Sequence, residues 1–423
     1  MRKSSMGALV AAGLLIGGFS AGSASAADLG GNCCADLEER IAELEATTAR
    51  KGNRKVSLTV SGWVGQQVMW WDDGYESNVY VGDLGATLSS HFKFTGQATI
   101  APGWTAGYVL HVEVRNNNSL GITQDYYENG TNVADGVQLL QSFWFVKSEK
   151  LGKVGVGLQS QASDNTAILV DGSGSLVPAN WVAFDYASFF IRNSASAVTT
   201  DGPQYIGVGG CFGGGVIGDC NGGTQNVVRY DSPTFGGFSV SASWGEDDMW
   251  DVAARYAGEH AGFKVAVAGA YSELTGGSNT PQFFDDTFEY FQVGAYIQHV
   301  PTGLFLYGAY GNAQYDIQTG DADTYYVKAG LRERWTHLGH TVVYGEYEKN
   351  ESSGAFVQST YATAPNADPT DSDFNLWGVG VVQEIDAAAM SMWLSYRNIE
   401  YSDNSGLDYE DFQYVKFGAL INF

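Results

Sequence analysis

Three aspartates, Asp164, Asp171 and Asp185, fall in a segment rich in Gly, Ser and Ala that covers residues 160–225. Five basic residues, Lys93, Arg115, Arg255, Lys328 and Arg332, sit at alternate positions of apolar-polar stretches elsewhere in the chain. The chemistry available to such a set is electrostatic. Carboxylates on one side of a narrow wet opening and cations on the other make a transverse field, which orients ions and dipolar solutes without holding them. Taken singly, each basic residue reads equally well as a solvated position or the partner of a neighbouring acid. Taken together they form the candidate site, and the three acids lead us to expect a preference for cations.

Positioning these charges requires strands. In the last twelve residues, FQYVKFGALINF, Val415, Phe417, Ala419, Ile421 and Phe423 share one face. Tyr414, Lys416, Gly418 and Asn422 share the other, where Leu420 is the lone apolar residue. A period of two with one greasy and one wet side is a strand. The same period sets Val56, Leu58, Val60, Val64 and Val68 against Ser57, Thr59, Ser61 and Gln67. In a hairpin turning at Ala101-Pro102-Gly103 it places Lys93 and Arg115 on the polar side.

Continued to the end, the pattern yields about 16 strands, an even number in the range of outer-membrane barrels, with no strand expected between residues 71 and 91. Short turns such as APG, SPTFGG and HVPTG alternate with long polar stretches at 116–136, 160–225, 273–289 and 349–373. A soluble sandwich also alternates along its strands, but it does not need its connections to differ from side to side. In hydrocarbon every backbone N–H and C=O needs an internal partner, so a sheet spans a membrane only when it closes on itself. The expectation is an all-β fold, a 16-stranded antiparallel transmembrane β-barrel over residues 55–423. Both of its ends would lie on the periplasmic side, and Phe423 would end the closing strand at the aromatic girdle. Side chains alone do not fill so wide a barrel, which therefore holds a channel or a plug.

The other end of the chain has a different texture. Arg2 and Lys3 precede an apolar run, residues 7–19, and then Ala24-Ser25-Ala26, the pattern of a secretory signal cleaved after Ala26. Residues 27–54 read as a short stalk. Cys34, Leu37, Ile41, Leu44 and Thr48 follow the 3,4 spacing of a coiled-coil seam, with Arg40 and Glu45 placed to pair between neighbouring helices. Two heptads are too short to hold alone, so the choice is self-association through Leu37, Arg40, Ile41, Leu44 and Glu45 or an isolated amphipathic helix; we favour the first.

Composition agrees with a barrel: 55 Gly, 24 Tyr, 22 Phe and 11 Trp against 8 Pro, with no apolar stretch of 18 residues after the signal. The formal charge of -25 argues against a nucleic-acid partner, which needs a basic footprint.

Catalytic and metal readings find little support. His337 and His340 lie in one turn, but without Cys or acids at ligand spacing this is a weak metal signal. His91 and His111 fall on the wet face and read as wall residues. No Gly-rich phosphate loop joins a strand to a helix. A barrel lipase would need Ser and His together on the outward face, which here is aliphatic and aromatic. We therefore expect no enzyme, no metal and no cofactor. Cys211 and Cys220, in CFGGGVIGDC, are placed for a disulfide closing a ring of about ten residues, which would stabilise by roughly 2.5 kcal/mol. Cys33 and Cys34 are vicinal, and an interchain bond and free thiols both stay open.

The signal, the stalk CCADLEERIAELEATTARKGNRKVSLTVSG, the strand end VMWWDDG, FKFTGQATIAPGWTAGYVLHVEVR, VRYDSPTFGGFSVSASWGEDD and the terminal aromatic together resemble the general porins of alphaproteobacteria. The resemblance covers essentially the whole chain. It implies a homotrimer of 16-stranded barrels in the outer membrane, each with a water-filled pore for passive diffusion of small hydrophilic solutes and ions. It also implies a third outer loop folded inward, here the segment 160–225 with Asp164, Asp171 and Asp185 facing the basic wall. Outer-membrane lipid, lipopolysaccharide and the barrel-assembly machinery are the implied partners, with Phe423 as the assembly signal. Two rivals keep the barrel but change its role. A substrate-specific channel would show an aromatic slide or a basic ladder, and a structural trimer would anchor the membrane without conducting.

Overall fold

A computed structural model describes residues 55–85, 87–117, 122–125, 136–193, 203–205, 223–275, 287–316, 319–357 and 369–423. The expected signal, the stalk, the 160–225 cysteines and Cys33–Cys34 lie outside these residues.

The alternation along the chain becomes seventeen strand segments. They are β1 (Thr59–Asp72), β2 (Ser77–Gly82), β3 (Ser90–Ala101), β4 (Trp104–Arg115), β5 (Gly136–Ser148) and β6 (Gly152–Ser160). Then come β7 (Thr224–Asp231), β8 (Phe238–Gly245), β9 (Trp250–His260), β10 (Phe263–Leu274), β11 (Phe288–His299) and β12 (Leu304–Tyr315). The last are β13 (Asp321–Glu333), β14 (Thr341–Ser353), β15 (Asp371–Ile385), β16 (Met390–Asp403) and β17 (Phe412–Asn422). From β3 to β17 each pairs antiparallel with the next, β2 and β3 both pair with β1, and β1 pairs with β17 from Trp63↔Asn422 to Asp72↔Gln413, so the sheet closes. One further residue seals the seam: the Gly62 and Phe423 backbones exchange two hydrogen bonds of 3.0 Å.

Seventeen segments make sixteen staves because β2 and β3 both lie along the same side of β1. Gly82 stands opposite Gln67 and His91 opposite Trp63. Three residues of β1 therefore face eight of the neighbouring strand, and the surplus folds into the barrel. Asp83, Leu84, Leu88 and Ser89 are all buried there. The fold is pinned by Trp63 Nε1 donating to Leu88 O at 3.0 Å and by Asp83 accepting from Gly85 N at 2.9 Å and Ser89 Oγ at 2.7 Å. Gly85 supplies the sharp corner, at φ 103°, with Phe184 packed so close that a Cβ would meet its ring at 2.7 Å. The split stave and its inward fold are the part of the barrel that periodicity did not anticipate.

The two faces sort as a membrane demands. Val64 (57% exposed), Val68, Phe417 and Ile421 point outward, while Gln67, Tyr414 and Lys416 point inward and are buried. Trp70, Trp144, Trp250 and Trp377 are exposed on the outside, whereas Trp71 and Trp181 are buried within. The rim that carries the start of β1 and the end of β17 has only short turns. The opposite rim carries the long connections at 116–135, 161–223, 275–287 and 354–370, along with four short ones.

Candidate pore constriction

From the end of β6 the chain does not stay at the rim. Residues 161–193 run inside the barrel and follow the wall from β8 round to β1, held there by polar bonds and by apolar packing against the wall. At the start, Ala162 N donates to Ser243 Oγ at 2.9 Å and Ser163 N to Asp251 at 2.6 Å. Gln292 on β11 accepts from Ala167 N (2.8 Å) and donates to Ser163 O (3.0 Å), while Tyr307 OH donates to Ala167 O at 2.8 Å. Gly294 on β11 permits this approach, since a Cβ there would lie 2.1 Å from Ala167 O.

Three wall cations fasten the rest. Lys328 on β13 donates to Asp171 at 2.6 Å and to Ala179 O at 2.7 Å. Arg397 on β16 holds Glu346 of β14 through two bonds of 2.8 Å and reaches Asn180 O at 2.7 Å. Asp185 accepts from Gln67 of β1 at 2.7 Å and pairs with Lys416 of β17. Burial alone would push the Asp185 carboxyl up, but the Lys416 ammonium, with Arg397 and Gln67, holds it below the ordinary carboxylate range. Around these pairs pack Trp181, Val182, Phe184, Tyr186 and Phe189. Each ion pair replaces solvation with a bonded partner, which is the condition for burying charge at all.

With the loop pressed on that side, the open passage runs against the wall from β3 to β9. Lys93, Lys147, Lys153, Arg229 and Arg255 line it from the wall, and Asp164 lines it from the loop. Lys153 and Arg229 share Asp231, at 2.9 and 2.8 Å. Arg255 has only neutral acceptors within hydrogen-bond distance: Ala162 O at 2.6 Å, Thr166 Oγ1 at 2.8 Å and Ser241 Oγ at 2.6 Å. Asp164 is partly buried and accepts from Asn165 Nδ2 at 2.8 Å. Burial pushes its carboxyl above the usual range.

The residues singled out from the sequence are thus distributed over several places. Asp164, Lys93 and Arg255 meet at the passage. Asp171 and Lys328 form a pair with neither side chain exposed, and Asp185 is equally enclosed. Arg115 pairs with Glu113 at 2.6 Å near the long-loop rim, and Arg332 pairs with Glu384 at 2.7 Å on the loop side. His91 and His111 face inward as a ring pair 4.3 Å apart. His340 lies 3.3 Å from Glu384. Among the described residues no group of His, Cys, Asp and Glu is arranged to hold a metal.

Sequence reasoning passed over Lys416, Arg397, Arg229, Lys147 and Lys153. The signal was present, because each is a basic residue at an inward position of an alternating strand. Nothing local marks the acids that Lys416, Arg397 and Lys153 meet, whereas Arg229 has Asp231 two residues on in its own strand.

The sequence matches the family model described as Gram-negative porin over residues 8–407. No curated protein matches it. Among solved structures it is similar to the anion-selective porin from Comamonas acidovorans, with 15% identity and a TM-score of 0.56 over 87% of this chain and 100% of that one. It is also similar to Pseudomonas putida OprB, with 11% identity and a TM-score of 0.55 over 92% and 97%. The trimer form of Vibrio cholerae OmpT gives 13% identity and a TM-score of 0.51 over 87% and 99%. At such identities these likenesses speak for the fold, an outer-membrane β-barrel, and the residues matched by the family model speak for the lineage: this chain belongs to the Gram-negative porin family.

Proposed function

We propose that the barrel is a general diffusion channel, a water-filled path for small hydrophilic solutes and ions across the outer membrane. One observation carries the reading. A loop held inside a closed barrel by paired charges leaves an open passage along the wall from β3 to β9, lined by polar and charged side chains. Weak, multi-site contact of this kind passes solutes, whereas an enclosed pocket would retain them.

The finer parts of the proposal are the homotrimer, membership of the alphaproteobacterial subgroup, the cleaved signal at 1–26 and the periplasmic stalk at 27–54. Support for the trimer comes from the seam over Leu37, Ile41 and Leu44 and from the trimer form recorded for OmpT of Vibrio cholerae. Outer-membrane lipid, lipopolysaccharide and the assembly machinery that would read Phe423 are its proposed partners. The cation preference expected from the sequence assumed three loop acids free to face the lumen. Two of them, Asp171 and Asp185, are taken up by Lys328 and Lys416, so that preference has lost most of its basis.

Planar-bilayer recording of the purified protein tests the reading. Stepwise conductance, grouped in threes for a trimer, is the expected result. A folded protein that inserts and passes no current overturns it in favour of a structural anchor.

A further inference from the structure

We propose that the passage prefers anions, admitting chloride and small carboxylate- or phosphate-bearing solutes ahead of cations of similar size. The inference rests on the channel reading above and adds a substrate class to it.

Five cations border the open passage, Lys93, Lys147, Lys153, Arg229 and Arg255, against three carboxylates close enough to offset them, Asp231, Asp164 and Asp251. Asp171 also reaches the passage, but Lys328 matches it in full. Among the described residues, neither Lys93 nor Lys147 forms a salt bridge.

The arrangement is costly as structure. Lys147 and Lys153 stand directly opposite each other in the β5–β6 register, and like charges so placed repel. Arg255 spends its guanidinium on neutral acceptors although it is partly buried. A wall selected only for stability would bond an acid directly to Lys147 and to Arg255, as Glu384 is bonded to Arg332 and Glu346 to Arg397. The cations also follow one another along a single wall. Arg229 is two residues from Asp231, Asp231 is opposite Lys153, and Lys153 is opposite Lys147 towards the rim of short turns. An anion can thus be handed down the wall without a deep well.

The acidity of the whole chain does not decide the matter. At 0.1 M salt the screening length is about 10 Å, so carboxylates at the rims act weakly on an ion inside, while charges on the walls of a narrow low-dielectric passage act strongly.

The test is the reversal potential in a tenfold KCl gradient, read as the permeability ratio of chloride to potassium. The wild type is expected above one. The Lys147→Gln/Lys153→Gln variant is expected to lower the ratio by about two-fold or more. Asp231→Asn, which unmasks Arg229 and Lys153, should raise it, and it gives a second reading should the lysine variant fail to assemble. A wild-type channel that conducts but favours potassium overturns this inference and leaves the channel intact. Variants that conduct with an unaltered ratio overturn it as well. Absence of any current overturns the channel reading itself.

Discussion

Lys328 Nζ lies 2.6 Å from Asp171 Oδ2, and neither side chain is exposed. The two are 157 residues apart in sequence, so their meeting fixes the inward loop to the wall of β13. Removing one partner leaves an uncompensated charge in the interior, and the expected cost is about 3 to 5 kcal/mol. Asp171→Asn or Lys328→Met should therefore lower the urea midpoint in detergent and make the open channel noisier, as the loop leaves the wall. The Lys328→Met/Asp171→Leu pair should recover most of the loss, because a buried ion pair is often no better than an apolar pair of similar volume. Single variants with wild-type stability would show that the pair does not hold the loop.

The seam between Gly62 and Phe423 makes a different demand. Their two backbone bonds are the last rungs of closure, and a Cβ at Gly62 would meet His91 O at 2.1 Å. Deleting Phe423 removes both rungs and the outward ring. The barrel is then expected to assemble less efficiently, seen as a smaller fraction of heat-modifiable, folded protein on electrophoresis. Gly62→Val should act the same way through the clash, and a normal folded fraction in both variants would mean that closure does not depend on this end.

The last strand could be read from its alternation alone, since Phe417 and Ile421 face lipid and Tyr414 and Lys416 face inward just as their spacing implies. The split stave could not. SNVYVG is short, Gly82 ends it, and the polar and small residues after it read as a loop, while only the register against β1 reveals that they are a fold into the barrel. The site was legible in kind but not in pairing. That Asp171 and Asp185 lie on an inward loop was implied by the family resemblance. That Lys328 and Lys416 consume them is a tertiary fact, made across 157 and 231 residues. The sequence alone set loop acids against wall bases but could not say that two of those acids would be bonded to bases of the wall.

Acid should act on the loop through Asp185. Its carboxyl is held below the ordinary range in the folded protein, whereas in the unfolded chain it titrates near 3.9. The stabilisation is thus fully present above about pH 4 and is lost only as pH falls through the lower folded value. Open-channel noise should stay flat from pH 7 to about pH 4 and rise below it. Asp185→Asn should be noisy already at neutral pH. Asp164 titrates first, because burial pushes its carboxyl up. As pH drops toward 4 the passage loses that negative charge, and the chloride-to-potassium ratio should climb before the noise does. Noise rising ahead of the ratio would reverse the assignment of the two groups.

The inward fold that carries Leu84 and Leu88 enters the lumen beside the loop. Leu84 and Leu88 are buried against Trp63 and Phe184, so the segment forms a second inward projection that meets the first. Five residues are surplus to the β1 register, eight standing where three would suffice. Replacing 83–90 by three strand residues should join β2 to β3 as one continuous stave without disturbing closure at β17. The outward faces of Val79 and Val81 would be kept, and the space held by Leu84 and Leu88 would open to water. Larger single-channel conductance is the expected outcome, together with a weaker chloride preference as the passage widens and bulk solvent screens its wall. Conductance equal to the wild type would mean that the inward loop alone limits the current and that the fold at 83–89 only buttresses it.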